Sequence, residues 1–248
     1  MALFTDGDVS SIEDLRGYDT QLLDVANTEG IDVTRKLKLA QDEIAAEITT
    51  MLARRAWSNA PVDPGRVVVT APLKLWHMFL SLELVYRDAY RSQLNDRYAG
   101  KRDEFHGMVK WAWDKLIETG LGLVDDPVAR AAAPRVLPAA GSLPDGTYYV
   151  AAAWTNAAGA EGTSSIPATI DIAGGSFAVQ AIAGPVNAKG WNVYAGNSPT
   201  SLTRQNDKPL EPGETWLQSN SILTAGTPAG CGQAPDFLLP VPRILQRG

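Results

Sequence analysis

Charged residues and chain breakers separate along this sequence near residue 128, and that separation restricts the possible folds more than any motif does. Residues 1–128 hold 15 of the 22 Lys and Arg and 21 of the 28 Asp and Glu, while residues 129–248 hold 7 of each sign. Gly and Pro run the other way, 12 in the first stretch and 26 in the second. High charge with few breakers favours long helices with solvated faces, whereas low charge with frequent breakers favours short strands and turns. The change falls across Asp125-Asp126-Pro127, Ala131-Ala132-Ala133-Pro134 and Leu137-Pro138. The expected architecture is a multidomain α+β chain. A helical domain occupies 1–128, a Pro/Ala-rich linker 129–143, an all-β sandwich 144–228 and an extended C-terminal arm 229–248.

Within the first stretch, Ser10-Ser11-Ile12-Glu13 has the spacing of a capping box. Asp32 can cap a helix over 32–56 whose apolar positions Val33, Leu37, Ala40, Ile44, Ile48 and Leu52 share one face. Arg66-Val67-Val68-Val69 is β-like, and Thr70-Ala71-Pro72 opens a second helix over 71–98 with a stripe of Leu73, Trp76, Leu80 and Leu84 that Tyr86 can extend. A third helix fits 103–120, with Phe105, Val109, Ala112 and Leu116 inward and Gly120 as its stop. In the second stretch the period changes. Strands are expected at 147–154, 166–172, 176–182, 191–195, 202–205 and 215–217, punctuated by turns such as Pro144-Asp145-Gly146 and Gly174-Gly175. Short strands at this spacing suggest a sandwich of the immunoglobulin or fibronectin type.

Several kinds of chemistry lack their usual signatures. Cys231 is the single cysteine, so intrachain disulfides and cysteine-rich metal sites are excluded. His77 and His106 form no metal-binding pair, and there is no G-x-S-x-G, P-loop or G-x-G-x-x-G. No stretch approaches the roughly 18 apolar residues that span a bilayer, and the acidic MALFTDGDVSSIEDL start does not read as a secretory leader. Asp6-Gly7-Asp8 echoes a calcium loop, but Ser11 and Gly17 stand where that loop needs Gly and Glu. The expectation is a non-enzymatic protein with no cofactor and no metal, made in the cytoplasm. Its net charge of −6 argues against a chain whose main work is gripping nucleic acid.

Two features suggest surfaces for partners. Arg87, Arg91, Arg97, Lys101 and Arg102 interleave with Tyr86, Tyr90 and Tyr98, a mixture suited to protein interfaces or to phosphates and bases. Asp88, Asp96, Asp103 and Glu104 dilute the run, so an interface or a solvated helix end is the default. Trp111 and Trp113 lie two apart and cannot share one helix face, so one packs inward and the other is partly exposed.

The segments Gly146-Thr147-Tyr148-Tyr149-Val150, Asn156-Ala157-Ala158-Gly159, Glu161-Gly162 and Gly190-Trp191-Asn192-Val193-Tyr194 resemble, in this order, a β-sandwich module of tailed-bacteriophage virion proteins. The likeness covers about 141–228. The helix layout of the first stretch resembles the helical head–tail connector (adaptor) proteins of such phages. The resemblance implies a structural virion protein of the neck or tail: a ring, a dodecamer if it matches the portal, that binds portal and tail proteins. It also implies proximity to packaged DNA, and acidic walls let DNA slide without sticking. Many simple connectors lack a sandwich, so the alternative is a tail, baseplate or fibre-associated adhesion protein. A carbohydrate-binding version would use Trp154, Trp191 or Trp216 as a stacking platform.

The C-terminal segment carries Phe237, Leu238, Leu239, Val241, Ile244 and Leu245 among three prolines. Proline bars a regular core element there, and the apolar groups still need a dry surface. The expected interface set is therefore these six residues together with Arg87, Arg91 and Tyr98, with the arm docking on a neighbouring subunit or on the portal.

Overall fold

The computed structural model describes residues 1–55, 63–93 and 96–241. It is an α+β protein of two compact units, neither of which is one contiguous stretch: residues 7–123 with 235–248, and residues 1–6 with 124–234.

The first unit is helical. It contains α1 (Ile12–Arg16), α2 (Leu22–Glu29), α3 (Val33–Arg55), α4 (Ala71–Gln93) and α5 (Ala99–Thr119). The central helix is α4, which packs against all four others. On α3 the expected stripe is the buried one: Val33, Leu37, Ala40, Ile44 and Ile48 are inside, and Asp32 Oδ1 accepts from the Arg35 amide (3.0 Å). The capping box sits one residue later than its sequence spacing suggests. Ser11 Oγ accepts from the Asp14 amide (3.2 Å) while the Asp14 carboxylate accepts from the Ser11 amide (2.8 Å). The Ser10 hydroxyl is buried and engaged elsewhere. A helix over 71–98 was expected; α4 ends at Gln93, and a 3-10 turn at Asp96–Tyr98 leads into α5, a turn earlier than expected.

This unit also holds a small sheet. Strand β1 (Leu121–Leu123) follows α5 directly; Val67 bridges Leu123 and the Val68 amide donates to the Gly122 carbonyl (3.0 Å). Its other partner comes from the far end of the chain. Phe237–Leu239, the last of nine strands among the described residues and hence β9, runs antiparallel to β1 with Leu239 opposite Leu121 and Phe237 opposite Leu123. Two glycines make room for it. A Cβ on Gly122 would stand 2.8 Å from Thr70 Cγ2 and 3.2 Å from Pro235 Cβ; one on Gly120, whose φ is +90°, would stand 2.8 Å from the Leu239 carbonyl oxygen.

The second unit consists of two antiparallel sheets around one core. Strands β2 (Arg135–Leu143), β5 (Gly175–Gln180) and β8 (Thr215–Leu217) lie in the order β2-β5-β8. Strands β3 (Gly146–Thr155), β4 (Ala168–Ile172), β6 (Gly190–Gly196) and β7 (Thr203–Arg204) lie in the order β4-β3-β6-β7. Period-2 alternation sorts the side chains. On β3, Tyr148, Val150, Ala152 and Trp154 enter the main core with Trp191, Val193 and Ala195 of β6 and Phe177 and Val179 of β5. Ala151, Ala153 and Tyr194 face the other way, where Leu202 and Ala229 pack on them.

Two expected boundaries need correction. The stretch 129–143 is not a linker: Ala131 and Leu143 are core residues, and β2 pairs with β5 from Arg135↔Gln180 to Leu143↔Gly175. Proline is tolerated there because β2 is an edge strand, so Pro138 removes no ladder bond that a second neighbour needs. The described part of the expected arm, 229–241, is not free. The Ala229 amide donates to the Leu202 carbonyl (3.2 Å), Gln233 is buried in the β unit, and 237–239 form β9. Residues 242–248 lie outside the described residues. The N-terminal residues also belong to the β unit. Leu3 and Phe4 are buried, and the Asp6 carboxylate accepts from the Leu3 amide (3.0 Å), the Arg130 amide (2.8 Å) and Thr163 Oγ (3.1 Å).

Candidate functional site

The basic and aromatic run on α4 and α5 is mostly consumed by packing. Tyr86 is buried and donates its hydroxyl to the Asp19 carboxylate, and Tyr98 donates to Glu29 Oε1 (2.9 Å). Burial first, and then the adjacent Asp19, pushes the Tyr86 phenol well above its ordinary range. The Arg102 guanidinium lies 4.4 Å over the Tyr90 ring and binds Asp103, while Lys101 binds Glu104. Arg87 is half-buried, with its Nε enclosed and without a hydrogen-bond partner. Bases therefore have no free tyrosine faces at Tyr86 or Tyr98 to stack on. Arg91 stays exposed and lines an open depression of about 580 Å³ with Arg35, Asp32 and the Lys36–Asp88 ion pair.

Of the C-terminal residues, Phe237 and Leu238 are 40% and 50% exposed, while Leu239 and Val241 are half-buried. Ile244 and Leu245 fall outside the described residues. The structure thus separates the expected interface set. Phe237 and Leu238 present apolar surface on β9, Arg91 lies exposed on α4, and Tyr98 is internal.

The helical unit has further apolar surface. Trp113 packs on Trp76 with ring centroids 4.7 Å apart, and these two with Val109, His106, Lys110 and Glu47 line a groove of about 330 Å³. Trp111, two residues away, is 49% exposed and lies 6.3 Å from Phe79; Tyr18, 47% exposed, meets the same Phe79 ring edge-on at 4.9 Å. The inward and outward tryptophans follow from their two-residue spacing. Tyr18 had no such signal, because it lies in the turn after α1 where no periodicity marks a face.

His77 is buried between three elements. Its Nε2 faces the Leu37 carbonyl (3.0 Å) and must carry the proton, so Nδ1 accepts from the Ser10 hydroxyl (2.7 Å). A Ser–His contact is the geometry of an activated nucleophile. Here Ser10 is buried and His77 is 1% exposed, so the pair fastens the segment before α1 to α3 and α4. His106 sits at the surface, with Nδ1 3.2 Å from Glu83 Oε1.

In the β unit, Trp154 and Trp191 are buried and Trp216 packs 6.1 Å from Phe177, so the tryptophans expected as a carbohydrate platform face the core. Alternation explains this, since Trp154 lies in phase with Val150 and Ala152. The outward residues of the Gly190–Tyr194 segment bind within the fold. The Tyr194 hydroxyl donates to both Glu161 oxygens (2.7 and 2.8 Å), Asn192 donates to Glu161, and Asn206 Nδ2 donates to Asn192 Oδ1 (3.0 Å). Burial, followed by the Glu161 carboxylate, raises the Tyr194 phenol. No protein-family model matches the chain, and no curated protein matches it either.

Proposed function

We propose that this protein is a structural component of a tailed-phage virion, a head-to-tail adaptor that forms a ring on the portal and receives tail proteins. The observation that carries the reading is the pairing of the two segments behind the phage-module resemblance. Gly146–Thr155 and Gly190–Gly196 lie side by side as β3 and β6, with Val150 opposite Ala195 and Trp154 opposite Trp191. We take the β unit as an immunoglobulin-like sandwich on its seven strands in two antiparallel sheets. Its β2-β5-β8 order differs from the antibody arrangement, so the likeness is one of architecture rather than connectivity.

The helical unit supplies the ring contacts in this reading. It exposes Tyr18 in the turn after α1, Trp111 on α5 and Phe237 and Leu238 on β9, the aromatic and apolar residue types that interfaces concentrate. The test is incubation of the purified chain with tailless, DNA-filled heads, followed by co-sedimentation and imaging of the portal vertex. The expected result is a closed ring at that vertex. Failure to bind heads, together with binding to glycans or to fibre proteins, overturns the adaptor reading in favour of an adhesion protein.

A further inference from the structure

One buried imidazole ties the segment from Gly7 to Tyr18 to both α3 and α4. His77 on α4 takes the Ser10 hydroxyl at Nδ1 (2.7 Å) and gives its Nε2 proton to the Leu37 carbonyl of α3 (3.0 Å), so a single ring joins three elements. Around it, Asp8 on the leading segment and Asp14 on α1 act on the ring through space, and Lys74 of α4 is held by Asp14 (2.8 Å). From α3, beside the Leu37 carbonyl, comes the uncharged Gln41, whose Nε2 donates to the Gly7 carbonyl (2.9 Å). The segment covers apolar surface: Leu15 is fully buried and Tyr18 caps the edge of Phe79.

A neutral imidazole satisfies this geometry with one donor and one acceptor. A protonated ring has two donors, so the Ser10 hydroxyl must turn its own proton away and a full charge is enclosed. We propose that His77 is a proton-operated latch, whose protonation in mild acid releases residues 7–18 from α3 and α4 and uncovers the Leu15 and Phe79 surface. Burial opposes the charged ring more than the Leu37 carbonyl, Asp8 and Asp14 favour it, and its pKa lies below the ordinary histidine value. The sign follows. The closed state is fully favoured above about pH 6.5, where a free imidazole titrates, and loses ground by up to about tenfold per pH unit below it.

The experiment is hydrogen exchange of the full chain read by mass spectrometry across a pH series, with intrinsic exchange rates divided out. Protection of peptides covering residues 7–18 should fall with acid while peptides from α5 stay protected. In His77→Gln, whose amide can accept from Ser10 and donate to Leu37 without titrating, that fall should vanish. A proton NMR titration of the imidazole signals, assigned through His106→Asn, gives a second readout that needs no change at His77. Its His77 midpoint should coincide with the loss of protection. If protection is lost at the same pH in His77→Gln, or if His77 titrates while residues 7–18 stay protected, the latch is wrong.

Discussion

The pairing of β9 with β1 is testable through Gly120, because one substitution there meets two separable penalties. Its φ of +90° is a conformation that side-chain-bearing residues rarely adopt, and an added Cβ would lie 2.8 Å from the Leu239 carbonyl oxygen and 3.2 Å from its carbon. The backbone penalty for alanine is about 1–2 kcal/mol, partly offset by the stiffer unfolded chain. The clash is with main chain, which cannot swing aside as a flexible side chain can, and overpacking of this kind costs about 1–3 kcal/mol. Gly120→Ala should therefore destabilise the full chain by about 2–4 kcal/mol. In a chain ending at Ala234 the Leu239 carbonyl is gone, so the same substitution should cost only about 1 kcal/mol. The assay is urea unfolding followed by far-ultraviolet circular dichroism, which reports mainly on the helical unit, in a four-member cycle of the two changes. A coupling of about 1–3 kcal/mol is expected, within the range found for groups in direct contact. If Gly120→Ala costs the same with and without residues 235–248, β9 does not sit against Gly120. The segment would then be a free arm after all.

Three shorter tests follow from side-chain contacts. Asp6→Ala removes the acceptor of the Arg130 amide and the Thr163 hydroxyl, which water can partly replace, and should destabilise the β unit by about 0.5–1.5 kcal/mol, read by tryptophan fluorescence during unfolding. Tyr86→Phe takes away the hydroxyl that donates to buried Asp19 and should cost about 1–3 kcal/mol. Because the folded state raises the Tyr86 phenol, its contribution is present below about pH 10 and is lost above it in the wild type only. Burial pulls the Asp14 carboxyl up, but hydrogen bonds from Lys74 and from the Ser11 amide and hydroxyl outweigh it and hold the pKa down. Asp14 therefore stabilises above about pH 4 and loses this on acidification, so Lys74→Met should flatten the acid limb of a plot of stability against pH.

The helices and the β3 and β6 strands were legible because each is long or strongly periodic. The α3 stripe from Val33 to Ile48 and the alternation of Tyr148, Val150, Ala152 and Trp154 leave one way to place the apolar face. The misreadings share a different cause. Residues 129–143 and 229–241 are rich in Pro, Ala and Gly, a composition that describes a linker and an edge strand equally well. What decides between them is the neighbour: β5 for β2, and β1 for β9. Such pairings over long sequence separation leave only small local marks, here Gly120-Leu121-Gly122 immediately after α5, whose missing side chains admit β9.

The same reasoning bears on which surfaces remain for partners. A stretch of sequence rich in Arg and Tyr suggests a binding face, but tyrosines at helical spacing on a central helix have neighbours on several sides and are drawn inward. Tyr86 on α4 and Tyr98 before α5 end against Asp19 and Glu29 for that reason. Exposed apolar side chains accumulate instead where an element lacks a partner on one side. Trp111 lies on the outer face of α5, Tyr18 in the turn after α1, and Phe237 and Leu238 on a strand only three residues long. Trp111 and Tyr18 meet the same Phe79 ring, while Phe237 and Leu238 are neighbours on β9, so these exposed apolar groups fall into two sets. An assembly in which each copy presented one set to one neighbour and the other set to the next would be head-to-tail, and such contacts close into a ring only where the rotation between copies allows it.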